Sequence, residues 1–285
     1  MIRFMKRNLL VFFRDKTSVF FSMLAVLIVL GLYVLFLGDQ LVNSIGKDVP
    51  GAKKLMDSWI MAGILAVTPV STTLGSFGAI VNDKTKKIYK DFRSSPISSG
   101  SLAGGYILSS FCIGTIMSVF ALAIIEVYFA AKGYGILSAL QLVQTLGTIL
   151  ISVLVSSSLM YLVVSLFNSQ NAFATASTII GTLIGFITGI YLPIGSTDQS
   201  IQYVIEFFPI SHAASIFRKI LMAEPMKESF KNAPDGLQTS FTLDMGVSFK
   251  AFGHTFTTLE SIGYMLLSAA IFYTLGIFIT RKKSK

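Results

Sequence analysis

The chain is short of charge and of the residues that build disulfide-bonded or metal-binding domains. Only 13% of its 285 residues are charged, about half of what a soluble domain carries. Its one cysteine, Cys112, excludes an intrachain disulfide. Its two histidines, His212 and His254, lie far apart with no cysteine near them, so no metal site is predicted.

Enzyme motifs are also missing. The sequence has no G-x-x-x-x-G-K-[ST], no H-E-x-x-H and no G-x-S-x-G, and no predicted membrane helix carries paired carboxylates. Residues 189–196 contain glycines but no lysine, so they do not form a phosphate-binding loop. We therefore predict no catalytic residue and no cofactor in this chain. A membrane-embedded enzyme would need a dense polar cluster, which the sequence lacks.

Apolar residues make up 53% of the chain and gather into six long runs. Because about 20 apolar residues cross a bilayer as a helix, the sequence predicts an all-α polytopic membrane protein with six transmembrane helices. The runs cover residues 17–37, 58–81, 104–131, 139–167, 172–194 and 258–280. Their two carboxylates lie close to span ends, Glu126 near the end of the third run and Glu260 at the start of the sixth. An ion-coupled carrier, which needs buried ionisable groups, is therefore disfavoured.

The distribution of basic residues predicts that both termini are cytoplasmic. With that orientation, the inside segments 1–16, 82–103, 168–171 and 281–285 hold 14 Lys and Arg, against 4 in the short outside loops 38–57 and 132–138. The basic residues that give the chain its net charge of +9 lie beside the apolar runs. It therefore indicates contact with membrane lipid rather than with nucleic acid.

Three segments outside the spans have a character of their own. Residues 1–16 place Ile2, Met5, Leu9 and Phe12 at helical spacing, which predicts an amphipathic helix on the inner membrane surface. Residues 82–103 form a basic hairpin between the second and third spans, either a docking element or a solvated anchoring loop. Residues 195–257 form an outside segment long enough for short helices.

Several motifs, in order along the chain, resemble those of the ABC-2 type permeases, the membrane subunits of bacterial ATP-driven exporters. They are Phe13-Arg14-Asp15 before the first span, Ser95-Pro96-Ile97-Ser98 after the basic run, Gly189 to Ile194 at the end of the fifth span, and Phe208-Pro209-Ile210-Ser211 with Arg218 after it. The coupling helix of that family often reads E-[RK]-E-x-G-T. Residues 83–88 here, DKTKKI, have fewer acids and no glycine.

The resemblance implies a permease that works with partners in the bacterial cytoplasmic membrane. These are a cytoplasmic P-loop ATPase, which would hold ATP and Mg²⁺, and a second permease copy, identical or related. The hairpin would contact the ATPase through Lys84, Lys87, Ile88, Tyr89, Phe92 and Arg93. Export of a hydrophobic or amphipathic cargo (a drug, antimicrobial peptide or lipid-like molecule) follows from the same resemblance. The alternative is a sensing or immunity subunit that binds an antimicrobial compound through residues 195–257 without moving it.

The family's transport route lies between the two permeases and is lined mainly by the second and fifth spans. In the second span the hydroxyl residues Thr68, Thr72 and Ser76 repeat at spacing four. In the fifth span the small residues Gly181, Gly185 and Gly189 repeat at the same spacing. Both patterns predict either a lining of the route or close helix packing.

Overall fold

The chain is almost entirely helical in a computed structural model, which describes residues 1–45, 49–88, 92, 97, 99–234, 236–251 and 253–282. Its helices are α1 (Ile2–Arg14), α2 (Lys16–Leu32), α3 (Gly38–Ile45), α4 (Ala52–Thr85), α5 (Ser99–Ala131), α6 (Ala139–Leu166), α7 (Gln170–Ile187), α8 (Gln199–Phe207), α9 (Pro209–Leu221), α10 (Ala223–Ser229), α11 (Leu237–Asp244) and α12 (Thr258–Lys282). A π-helical segment, Tyr33–Leu37, joins α2 to α3, and a 3₁₀ turn, Ile194–Ser196, precedes α8. Strands β1 (Lys250–Ala251) and β2 (His254–Thr255) pair antiparallel.

Within the described residues, five helices are long and apolar enough to cross a membrane: α4, α5, α6, α7 and α12. A sixth span is present if Lys16–Leu24 and Val26–Phe36, which meet at a bend of 42°, count as one span. The predictions at 104–131, 139–167 and 258–280 correspond to α5, α6 and α12. The helical, multi-span class is confirmed, with five or six spans.

Helix α4 is the centre of the bundle and packs against α2, α5, α6 and α9. In its most apolar stretch 72% of the residues are buried, compared with 17% in α7. It runs from Ala52 to Thr85 and so extends beyond the predicted span of 58–81 at both ends. The extension takes two carboxylates, Asp57 and Asp83, into the buried part of the helix.

Helix α7 ends at Ile187, whereas the predicted fifth span continued to residue 194. The chain leaves the helix through Gly189, whose φ of +63° lies in the left-handed region that glycine adopts without strain. Ile190 and Ile194 are nevertheless buried, in the loop that follows. Hydropathy alone does not separate such a buried apolar loop from a helix, which is why the predicted span was too long.

The segment after α7 forms the short helices α8 to α11. Pro209 begins α9, where its fixed φ suits the first turn of a helix. Nearly every residue of α9 is buried, because the helix lies against α4, α6 and α12. One helix of this segment therefore packs into the bundle.

Candidate coupling site and transport route

Helix α1 packs across the start of α5, at the end of the bundle that we call the α1 end. Its buried face consists of Phe4, Asn8 and Phe12. A Cβ atom on Gly105 of α5 would lie 2.6 Å from the Phe4 ring, so glycine is what allows this close approach. The predicted apolar face began at Ile2, which is 69% exposed. The face of α1 that packs on α5 is therefore a different one from the stripe predicted to lie on the membrane, with Phe12 common to both.

Arg7 of α1 forms a two-point ion pair with Asp83 near the end of α4. The guanidinium nitrogens lie 2.7 and 3.0 Å from the carboxylate oxygens. Tyr106 of α5 donates its hydroxyl to the same carboxylate at 2.7 Å. The hydrogen bond to Asp83 raises the pKa of Arg7 above its usual value, against the opposing effect of burial. A single buried carboxylate therefore ties α1, α4 and α5 together.

The Phe92 side chain packs on α1. Its ring meets Phe4 edge-on at 5.1 Å, and the Arg7 guanidinium lies 5.1 Å from the ring centroid. Of the other residues predicted to contact an ATPase, Lys84 and Ile88 are half-buried, Lys87 is exposed, and Tyr89 and Arg93 lie outside the described residues. Aromatic and cation–π contacts thus join a hairpin residue to the N-terminal helix.

Lys87 is the residue at which the backbone leaves α4. It has a φ of +62°, the one positive value among the described residues other than glycine, and its amide bonds to the Lys84 carbonyl at 3.2 Å. Left-handed backbone after a helix is usually taken by glycine. The pattern E-[RK]-E-x-G-T has its glycine at this position. Lys87 therefore adopts the left-handed backbone conformation that glycine would adopt there.

Replacing Lys87 with Gly is expected to stabilise the protein by about 1 kcal/mol, because glycine avoids the steric cost of the left-handed conformation. The thermal unfolding midpoint in lipid nanodiscs measures this. Lys86→Gly is the matched control, since Lys86 has a φ of −80° and gains no relief. A Lys87→Gly protein less stable than the wild type would contradict the observed backbone geometry.

The hydroxyl stripe of the second span faces into the bundle. Thr68 and Thr72 are fully buried and donate to the carbonyls of Ile64 and Thr68 at 2.7 and 2.8 Å. Ser76 hydrogen-bonds to Ser110 of α5 at 2.7 Å. Within one chain these three side chains take part in helix packing.

The three glycines predicted on the fifth span have different surroundings. No atom lies within 4 Å of the position that a Cβ on Gly181 would take. A Cβ on Gly185 would overlap the ring of Tyr191 from the loop after α7. Gly189 lies past the helix end, and its carbonyl accepts a hydrogen bond from Arg218 at 2.6 Å. They therefore do not form one continuous packing stripe on a helix.

A polar stripe that the sequence analysis missed lies on the open side of α7. Asn171, Thr175, Thr178 and Thr182 are all exposed, on a helix with little burial in this chain. The three threonine hydroxyls bond to backbone carbonyls of their own helix at 2.9–3.1 Å. Their positions follow helical spacing, which is the signal that could have identified them.

Asp57 forms a second buried carboxylate cluster at the opposite end of the bundle, which we call the far end. It is 1% exposed and accepts hydroxyl hydrogen bonds from Tyr33 at 2.6 Å, Tyr134 at 2.9 Å and Tyr128 at 3.0 Å. Tyr33 begins the π-helical segment of the first span. Sequence analysis missed this site because a charged residue at the edge of an apolar run is easily assigned to a loop.

Arg218 of α9 is fully buried and links three parts of the chain. It donates to the carbonyls of Gly189 at 2.6 Å and Gly246 at 3.3 Å. Its guanidinium lies 4.8 Å from the ring of Trp59 on α4, and the Trp59 indole donates to the Met245 carbonyl at 2.8 Å. Burial lowers the pKa of Arg218 to about 9. The arginine fixes the turn after α7 and the turn after α11 to the central helix.

His212 of α9 is held by hydrogen bonds in a buried aromatic site. Its Nε2 bonds to the Glu206 carbonyl at 2.8 Å and its Nδ1 to the Ser261 hydroxyl at 3.1 Å. Burial lowers its pKa to about 4, although the bond to Glu206 opposes that shift. No group of three or more His, Cys, Asp or Glu side chains suited to a metal occurs in the described ranges.

The buried imidazole predicts loss of stability in acid. In the unfolded chain the pKa of His212 is about 6.5, above its folded value of about 4, so the unfolded state takes up the proton first as the pH falls. Stability is therefore lost between about pH 6.5 and pH 4, by roughly 3 kcal/mol in total. Thermal unfolding across this range measures the loss, and His212→Gln, which cannot titrate there, is expected to remove it.

The sequence matches a known protein family. A family model described as ABC-2 family transporter protein matches residues 56–278. No curated protein was found to match the chain. The matched region begins in α4, ends in α12 and contains Asp57, Asp83 and Arg218. It covers well over half of the sequence. The chain is therefore a multi-pass membrane protein that belongs to the ABC-2 family of transporter proteins.

Proposed function

We propose that this chain is the permease subunit of an ATP-driven exporter and that a separate cytoplasmic P-loop ATPase drives it. Membership of the ABC-2 family supports the ATPase partner, since permeases of this family normally work with one. The chain contains no phosphate-binding motif of its own. Residues 82–98, with α1 beside them, form the ATPase-binding surface in this proposal, and the α1 end faces the cytoplasm.

The contacts at the α1 end are the observation that best supports this assignment. Phe92, from the hairpin, packs on Phe4 and Arg7 of α1. Arg7 in turn holds Asp83 of the central helix. A partner that displaced the hairpin would therefore move α1 and the end of α4 together. This is the connection that a transporter needs between its ATPase and its spans.

The route in this proposal lies between two copies of the permease. Helix α7 supports it, since its exposed face carries Asn171 and the three threonines in a span without charged residues. Hydroxyls among apolar side chains, with no charge, suit a hydrophobic or amphipathic cargo moving outward. Thr68, Thr72, Ser76 and Gly181 would contribute to the packing behind that face, and Gly185 and Gly189 to the turn that ends it.

Affinity purification from native membranes tests the ATPase partnership. The tagged wild type is compared with the triple variant Ile88→Ala, Tyr89→Ala, Phe92→Ala and with the surface variant Lys87→Glu, which reverses an exposed charge. The control is Lys132→Glu, also exposed but at the far end. We expect a P-loop ATPase with the wild type and the control, and at least tenfold less with the other two. A folded, abundant wild type without an ATPase would refute the proposal and favour the sensing alternative.

A further inference from the structure

A cavity of about 530 Å³ lies at the far end, between the chain before α4 and the helices α10 and α11. Its lining includes Pro50, Glu228, Phe230, Phe241, Asp244 and Met245. A volume of this size is in the range of small-molecule sites. None of the predicted coupling or route residues that the structure describes lines it.

The apolar wall of the cavity is held in place by contacts within the chain. The rings of Phe230 and Phe241 lie 5.0 Å apart. The Ser229 hydroxyl donates to the Pro50 carbonyl at 2.7 Å, which ties α10 to the start of α4. Met245 is 5% exposed, and its backbone carbonyl accepts a hydrogen bond from the Trp59 indole. The cavity is therefore formed before any ligand arrives, which lowers the entropy cost of binding.

The charge on the cavity is negative, in contrast to the chain as a whole. Glu228 and Asp244 line it, both are exposed, and no Lys or Arg is among its described lining residues. The nearby Glu224 pairs with Lys227 at 3.0 Å. Glu228 and Asp244 have no such ion pair in the described part of the chain. In a protein of net charge +9, two carboxylates that form no ion pair with a described residue, beside two aromatic rings, favour a cation with an apolar body.

We propose that this cavity is a binding site for hydrophobic organic cations. The phenylalanine rings and Met245 would receive the apolar body, and Glu228 and Asp244 would attract its positive charge. The site lies at the far end, away from the hairpin, so its occupation does not require ATP or an ATPase. The proposed binding site can therefore be tested independently of the proposed coupling to an ATPase.

Binding of tetraphenylphosphonium to the purified full chain tests the site, by equilibrium dialysis against phosphatidylcholine nanodiscs with empty nanodiscs subtracted. We expect saturable binding that weakens as salt is added, because the attraction is between partly exposed charges. Tetraphenylborate, of the same size and shape but negative, is expected to show no saturable binding. The double variant Glu228→Gln, Asp244→Asn is expected to bind the cation about tenfold more weakly or worse.

Two further variants separate the cavity from general surface charge. Asp198→Asn with Glu224→Gln removes the same charge from the same segment outside the cavity, and is expected to stay within twofold of the wild type. Ser240→Phe, at an exposed lining position, is expected to fill the cavity and abolish saturable binding. Absence of saturable binding, equal binding of the borate, or full binding by the Glu228/Asp244 double variant would each overturn the proposal.

Discussion

Replacing Arg7 with Ala is expected to destabilise the α1 end by about 3–5 kcal/mol, the loss typical when one partner of a buried ion pair is removed. The Asp83 side chain is only 5% exposed. Without Arg7 it keeps the Tyr106 hydroxyl as its hydrogen-bond donor but has lost its counter-charge. Faster hydrogen exchange of the α1 amides and a lower thermal midpoint measure the effect. In the proposed transporter, cargo export falls with it.

The reciprocal variant makes that prediction specific. Asp83→Asn leaves behind an arginine whose side chain is 34% exposed and can turn to water, so a smaller loss of about 1–2 kcal/mol is expected. Arg3→Ala, on the exposed face of the same helix, is expected to change stability by less than about 0.5 kcal/mol. Equal losses for Arg7→Ala and Asp83→Asn would contradict the asymmetric burial on which the prediction rests.

Replacing Asp57 with Ala is expected to destabilise the far end by about 2–4 kcal/mol. Three tyrosine hydroxyls lose their acceptor, and hydrogen bonds to charged groups contribute about 1.5–3 kcal/mol each. Tyr33 is 1% exposed and has no access to water, whereas Tyr128 and Tyr134 are half-buried and can turn outward. Removing a buried carboxylate also relieves its desolvation, which keeps the total below the sum of three bonds. The thermal unfolding midpoint in lipid nanodiscs measures this loss of stability.

Two comparisons accompany the Asp57 variant. Tyr33→Phe removes a single hydroxyl and is expected to lose about 1–2 kcal/mol. Asp39→Ala, an exposed carboxylate on α3, is expected to be neutral within about 0.5 kcal/mol. An Asp57→Ala protein as stable as Asp39→Ala would mean that the three hydrogen bonds add nothing beyond what water supplies.

The spans were predictable because their signal is local. An apolar run of sufficient length crosses a membrane as a helix whatever its neighbours are, and the predicted 139–167 differs from α6 by one residue at one end. The end of α7 was not predictable in this way. There the apolar sequence continues through Ile190 and Ile194 while the backbone turns at Gly189, and hydropathy does not register that change.

The buried polar clusters were not predictable because their members come from distant parts of the chain. Asp57 meets residues 24, 71 and 77 positions away, and Arg7 meets Asp83 76 positions away. Sequence spacing carries no information about such pairs. The hairpin illustrates the same point. The sequence predicted that Phe92 belongs to an apolar surface, but not that it packs on α1.

Helix α4 is held in place near both of its ends. It contains 34 residues and is therefore about 51 Å long, with Asp57 held near one end and Asp83 near the other. Pro69 lies midway and lacks the amide that would complete the helical ladder. If the α1 end of the helix is rotated, α4 therefore bends most easily at its midpoint, inside the bundle. In the proposed transporter, a bend of about 10° there would carry the far end sideways by roughly 4 Å, enough to widen or close the proposed route.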